Sequence, residues 1–281
     1  MSRNKNRVAQ APVPAAAPQE PAASLFNFVV PTEMVDIPSE GKYYSEDHPL
    51  HGVDSIEIKH LTAKEEDILT STNLIAQGKV IERLLESVIV TPNVKLDDLL
   101  VGDKNAVMMG TRILGYGSEY NVSIVDPEIN EEVEVSIDLT KLTEKKIDEK
   151  IFESGENKFS FELPNSKRII EFKLLNGHDE QKIDEQLKEL EKVEKLTGIS
   201  SELTTRIKHQ LVSVDGNTDQ KFIDNFVDNE FLALDTRAYR KYVTSVTPDM
   251  DMTFDYTTKG TSKVVKVDVP LGLEFFWPAG E

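Results

Sequence analysis

An α+β fold built by tandem duplication of one strand–helices–β-hairpin unit is what three features of this 281-residue chain predict. Two pairs of look-alike segments open the two halves, a pair of twenty-residue alternating segments closes them, and all three matches keep their order. Internal similarity comes first because it sets the unit in which everything else is interpreted.

The first match pairs IEIKHLTAKEEDIL (56–69) with IEFKLLNGHDEQKI (170–183), five identities in fourteen positions without a gap. Each reads as a short strand, a polar N-cap and an acidic first helical turn. Thr62 with Glu65 fits a capping box, and Asn176 is the cap of the second helix. The second match pairs VIVTPNVKLDDLL (88–100) with VSVDGNTDQKFI (212–223), each an apolar run broken by a turn. Thr111-Arg112 follows Val88 by 23 residues and Thr236-Arg237 follows Val212 by 24, so TRILGYG and TRAYRKYV are expected as matching helix openings.

The third match pairs YNVSIVDPEINEEVEVSIDL (120–139) with MTFDYTTKGTSKVVKVDVPL (252–271). Val122/Phe254, Ile124/Tyr256, Val133/Val265, Val135/Val267, Ile137/Val269 and Leu139/Leu271 fill the same apolar slots. Alternation around a turn-rich centre specifies a β-hairpin with one apolar face. In the first hairpin that face stops after Leu139, where Lys141 takes the next slot; in the second it runs on through Leu273, Phe275 and Trp277. Side chains of this class stabilise by about 1.5–3 kcal/mol each when buried, so the extension is expected to pack on the second unit's own helices or on a neighbouring chain.

The expected boundaries are a Pro/Ala-rich arm over 1–24, a first unit over 25–142 and a second over 143–281, with a helical insertion over 178–198. Ile183, Leu187, Leu190, Val193 and Leu196 form a narrow stripe on that insertion. It suits packing within its own domain, with a coiled-coil contact to another chain as the alternative.

Fifty acids against thirty-two bases give a net charge of −18, which argues against nucleic acid and anionic lipid as partners. The absence of cysteine excludes disulfides, Fe–S clusters and thiolate zinc sites, and is compatible with a reducing cytoplasm. No apolar run reaches the roughly 18 residues that a membrane span needs, so no membrane insertion is expected. The basic start is followed by Pro and Gln instead of a signal-peptide core.

Catalytic chemistry is not evident. His48 and His51 in DHPLH are the one arrangement resembling a metal pair, but Pro49 interrupts helical spacing and no third ligand is evident. The segment is expected to be a solvated loop, and no metal, cofactor or catalytic residue is expected. VGDKNAVMMGT lacks the Gly-Lys-Ser/Thr ending of a phosphate loop, and no G-x-S-x-G elbow occurs. Arg112 and Arg237 are expected at matching places, paired with acids inside each unit or making an oligomeric contact. The candidate docking residues are therefore Leu273, Phe275, Phe276, Trp277, Arg112 and Arg237.

Taken in order, IPSEGKYY (37–44), LTAKEEDILTS (61–71), LLESVIV (84–90), VGDKNAVMMGTRILGYGSEY (101–120), IKHQLVSVDG (207–216), TRAYRKYV (236–243), VTPDMDMTF (246–254) and VPLGLEFFWP (269–278) resemble the baseplate hub subunit and assembly family of T-even-like contractile-tailed bacteriophages. The resemblance covers about residues 31–278. It implies an interaction protein, not an enzyme, assembled in the host cytoplasm into the tail baseplate. Its implied partners are other hub and tail proteins, and a homo-oligomer is a further possibility that the arginines leave open. A non-virion assembly chaperone is the alternative, and a metal-dependent hydrolase using His48 and His51 a remote one. Members of the family resemble zinc ribbons with paired cysteines at two hairpin tips; here the tips read VDPEIN (125–130) and TTKGTS (257–262), which leaves both dependent on turn chemistry.

Overall fold

Antiparallel β1 (Thr32–Asp36) and β2 (Ser55–Lys59) open the first half of the computed structural model, which describes residues 29–147 and 156–276. The arm over 1–24 lies outside the described residues. Helices α1 (Ala63–Leu69), α2 (Thr72–Gln77) and α3 (Val80–Val88) follow, and Ile89 then bridges back to Ile58 on β2. Helix α4 (Val101–Tyr116) leads into a hairpin of β3 (Glu119–Val125) and β4 (Glu132–Asp138). The second half runs β5 (Phe159–Glu162), β6 (Ile169–Phe172), α5 (Gly177–Thr197), α6 (Glu202–Gln210) and β7 (Leu211–Val214), the strands forming one antiparallel sheet in the order β5-β6-β7. Helix α7 (Gln220–Asn225) continues into a π-helical turn over Phe226–Glu230. Helix α8 (Ala233–Val246) then leads to a hairpin of β8 (Thr253–Thr257) and β9 (Val264–Asp268). The architecture is α+β.

The same local devices recur in both halves. At α1 the Thr62 hydroxyl accepts from the Lys64 amide, and Glu65 accepts from the Thr62 amide at 3.0 Å and from Lys59 Nζ at 2.8 Å. At α5 the Asn176 side chain accepts from the Asp179 amide at 3.0 Å, while Asp179 binds Lys173 Nζ at 2.7 Å. Both strand-to-helix junctions thus tie a lysine at the end of the strand to an acid in the first helical turn, where the dipole also favours negative charge.

Burial pushes the Glu65 carboxyl upward, but Lys59 and the Thr62 hydroxyl and amide outweigh it and hold the pKa at about 2, below the usual 4.5. A depressed folded-state pKa contributes stability above the unfolded value that is lost as pH falls through the folded one. Glu65→Gln is therefore expected to be less stable than the parent at pH 7. In urea titrations that deficit should shrink between about pH 4.5 and 2; a deficit independent of pH would contradict the assignment.

Further along, Asp103 and Asp235 each stand third in their helices, fully buried. Asp103 accepts from the Ser39 amide at 3.0 Å, the Ser39 hydroxyl at 2.6 Å and the Tyr44 hydroxyl at 2.6 Å. Asp235 accepts from the Asn165 and Ser166 amides at 2.7 and 3.0 Å. Each aspartate therefore clamps the turn that follows Pro38 or Pro164. The offset between them, 132 positions, also relates the hairpin tips. The Asp126 amide donates to Glu131 O and the Asn130 amide to Asp126 O, as the Thr258 and Ser262 amides do to Lys263 O and Thr258 O. Asn130 and Ser262 are both left-handed, with φ of 53° and 58°.

Two expectations need correction, and one gains its outcome. Thr111 lies eleventh in α4 and Thr236 fourth in α8, so neither opens a helix and the two occupy different turns. The apolar stripe of α5 starts buried at Ile183 and ends with Leu196 at 87% exposure. Successive steps of three residues turn about 60° short of a full circle, so the stripe winds off the packed face; the side chain of Val193 lies outside the described residues. Finally, the apolar faces that alternation gives the two hairpins are used up inside the chain. Ile124, Val133 and Tyr256 form a buried cluster flanked by Val122, Val135, Phe254, Val265 and Val267, so the two hairpins close on each other. At the tips Asp126 accepts from the Lys259 amide at 2.8 Å and the Tyr256 hydroxyl at 2.7 Å.

The halves share one core from Ile37 to Phe276, and the described residues from Pro31 onward form one compact unit. Two seams stitch it. Val101 N–H donates to Leu175 O and Gly177 N–H to Leu99 O. Beyond β4, Lys145 N–H donates to Asp249 O at 2.8 Å and Asp251 N–H to Thr143 O at 2.7 Å. Gly102 is required where α4 meets the stretch leading into the second seam, because a Cβ there would lie 2.0 Å from Pro248 O.

Candidate interaction surfaces

After β9 the expected strand stops. Val269 N–H still donates to Met252 O, but Pro270 has no amide to offer, and Leu273–Phe275 coil into a 3₁₀ turn. That turn changes which side chains share a face. Phe275 and Phe276, neighbours in sequence, are both fully buried, which period-two alternation forbids. The side chain of Leu273 and all of Trp277 lie outside the described residues.

The segment docks within its own chain, and the partners of Pro270 and Phe275 there include Tyr120 and Arg112 of the first half. Tyr120 Oη donates to Pro270 O at 3.0 Å, and the Phe275 ring meets the Tyr120 ring edge-on at 5.2 Å. Arg112, itself buried, lies beside them. Its guanidinium donates to Gly117 O at 2.7 Å and Glu119 O at 3.1 Å. It stands 5.6, 5.7 and 6.0 Å from the ring centres of Tyr116, Tyr120 and Phe275. These acceptors close the C-terminal end of α4, where the dipole favours a cation. Burial lowers the Arg112 pKa from its ordinary value, and among the described residues its Nε has no partner.

Of the two alternatives for the arginines, pairing with acids inside each unit is not seen for either side chain among the described residues. Arg112 rests on carbonyls and rings. Arg237 is exposed on α8, far along the chain from that cluster, and among the described residues its side chain has no ion pair or hydrogen bond. Three of the six candidates, Arg112, Phe275 and Phe276, come together, joined by Tyr116 and Tyr120. Those tyrosines are not among the six, although two aromatics flanking the end of a helix at 116 and 120 are the signal the sequence offers for them.

The histidine loop is consumed internally. The His48 ring stacks on Tyr44 at 4.5 Å and its Nδ1 accepts from the Leu50 amide, while His51 Nδ1 donates to Tyr44 O at 2.8 Å. Burial lowers the His48 pKa. Among the described residues no group of three or more His, Asp or Glu has an arrangement that could hold a metal ion. Also among them, no helix is long and apolar enough to cross a membrane.

A family model described as T4 bacteriophage base plate protein matches residues 31–277. Neither a curated protein nor a solved structure gives a significant match.

Proposed function

The chain belongs to the family of T4 bacteriophage base plate proteins, and from that premise we propose that it serves in the baseplate hub as a structural subunit acting through protein–protein association. The observation carrying this reading is the extent of the match, 31–277, which takes in every element of the folded body. A phage baseplate structural protein does its work by holding neighbours in register, and the use of side chains here agrees with that. Asp103, Asp126 and Asp235 are buried tie-points between turns, and the His48 and His51 rings brace a loop. The reading includes a tandem duplication, supported by the paired lysine–acid junctions, the paired buried aspartates and the matching hairpin tips.

Quantitative mass spectrometry of purified particles tests the assignment. The chain is expected in mature virions at a fixed ratio to the other hub proteins. Its presence in hub assembly intermediates but absence from finished particles would replace the structural reading with that of a transient chaperone.

A further inference from the structure

Helices α4 and α8 occupy the same place in their halves, each with a buried aspartate third in sequence and a hairpin following, yet one face of the two is treated differently. On α4 that face is the seam. Gly102 meets the backbone of Pro248, Asn105 Nδ2 donates to Asp249 Oδ1 at 3.0 Å, and Met108 and Met109 are buried. Shifted by the same 132 positions, the face on α8 carries Leu234, Arg237, Arg240 and Lys241. All four are exposed, Leu234 by 67%, with Leu232 beside it at 46%.

The charge on this face runs against the chain. With acids outnumbering bases by fifty to thirty-two, Arg83, Arg168 and Arg206 each hold a glutamate. Among the described residues, Arg237, Arg240 and Lys241 hold no acid, although they crowd within two turns of one helix. We propose that this face of α8 is a docking surface for an extended acidic segment of a neighbouring baseplate protein, one carrying an apolar residue that seats against Leu232 and Leu234. The α4 seam shows the chemistry: there an extended Thr-Pro-Asp-Met-Asp stretch lies on the helix and puts a carboxylate on Asn105, whose counterpart on α8 is Arg237. A second copy has its own stretch engaged, because the Asp249 carboxylate already accepts from Asn105 Nδ2 and Lys145 Nζ and that of Asp251 from the Thr253 hydroxyl and Lys266 Nζ. Three cations are too few for a duplex in a chain of this charge, so an acidic protein segment is the occupant.

The proposal rests on the baseplate reading, and its test separates the two. A labelled acetyl-TPDMDM-amide peptide is titrated into the full chain at low salt, followed by anisotropy. Binding is expected to weaken at least tenfold in Arg237→Glu/Arg240→Glu/Lys241→Glu and with a peptide whose aspartates are replaced by asparagine. Because all three side chains are exposed, circular dichroism and Tm should match the parent; should they differ, Arg237→Gln/Arg240→Gln is used in its place. No binding, or equal binding by the variant, overturns the proposal. So does tighter binding of a duplex oligonucleotide at the same residues, or wild-type self-association that the variant abolishes. In infection, a wild-type chain present in particles with the variant depleted at least tenfold supports it. Equal incorporation sinks this inference alone, whereas absence of the wild-type chain sinks the baseplate reading.

Discussion

Phe275→Ala is expected to lower the stability of the isolated chain by about 3–5 kcal/mol, and removal of everything after Leu271 by more. Both expectations follow from burial within the chain itself. Phe275 and Phe276 are fully covered and stack edge-on at 5.3 Å, and Phe275 also covers Tyr120 and the Arg112 guanidinium. Truncation would open an aromatic cavity and leave a buried cation facing water on one side and apolar groups on the other. Domains of ordinary stability have only about 5–15 kcal/mol to lose, so the truncated chain should be largely unfolded at temperatures the parent tolerates. Urea denaturation of the purified protein measures this. A truncated chain with an unchanged midpoint would mean that the segment is dispensable to the fold and free to serve a partner.

Asp103→Ala should cost about 2–5 kcal/mol, since each buried donor left without an acceptor costs about 1–3 kcal/mol. The carboxylate gathers the Ser39 amide, the Ser39 hydroxyl and the Tyr44 hydroxyl, and Tyr44 Oη in turn accepts from Leu100 N–H at 3.0 Å. Burial pushes the Asp103 pKa up against the pull of those donors, and the Asp249 charge adds to the rise. Loss of the side chain would free the 38–44 turn and the start of α4 together. Asp235→Ala should cost less, because its acceptors serve two backbone amides in a more exposed turn. Equal losses in the two variants, or none in Asp103→Ala, would show that the turn is held by other means.

The sequence makes local signals legible and register much less so. Thr62, Glu65 and Asn176 are readable because a cap is defined by residues three positions apart. The two hairpins are readable because alternation breaks at their turns. The Thr-Arg correspondence misleads for a physical reason: it slips the helices by seven residues, about two turns, and a slip of that size leaves the apolar phase almost unchanged. The register of 132 positions comes instead from the buried aspartates, whose hydroxyl and amide partners lie 64 and 70 positions away, and from the hairpin tips. The terminal aromatics were legible as something buried. Their receiving surface was not, since alternation says which side chains share a face but not which distant residues meet it. The cationic face of α8 was half visible in TRAYRK; its meaning came only from comparison with the covered face of α4.

The bond between Tyr120 Oη and Pro270 O spans 150 positions, and it has a consequence for the order in which the chain is made. While the ribosome is still adding residues 121–269, Tyr120, Tyr116 and Arg112 have been synthesised but their cover has not. The first half therefore waits with an aromatic and cationic surface open, and its hairpin lacks the second hairpin that shields Ile124 and Val133. Long-range closures of this kind are slow, and apolar surface exposed meanwhile invites wrong association. Nascent chains crowded on one message would be at greatest risk in that interval, and slower elongation would lengthen it.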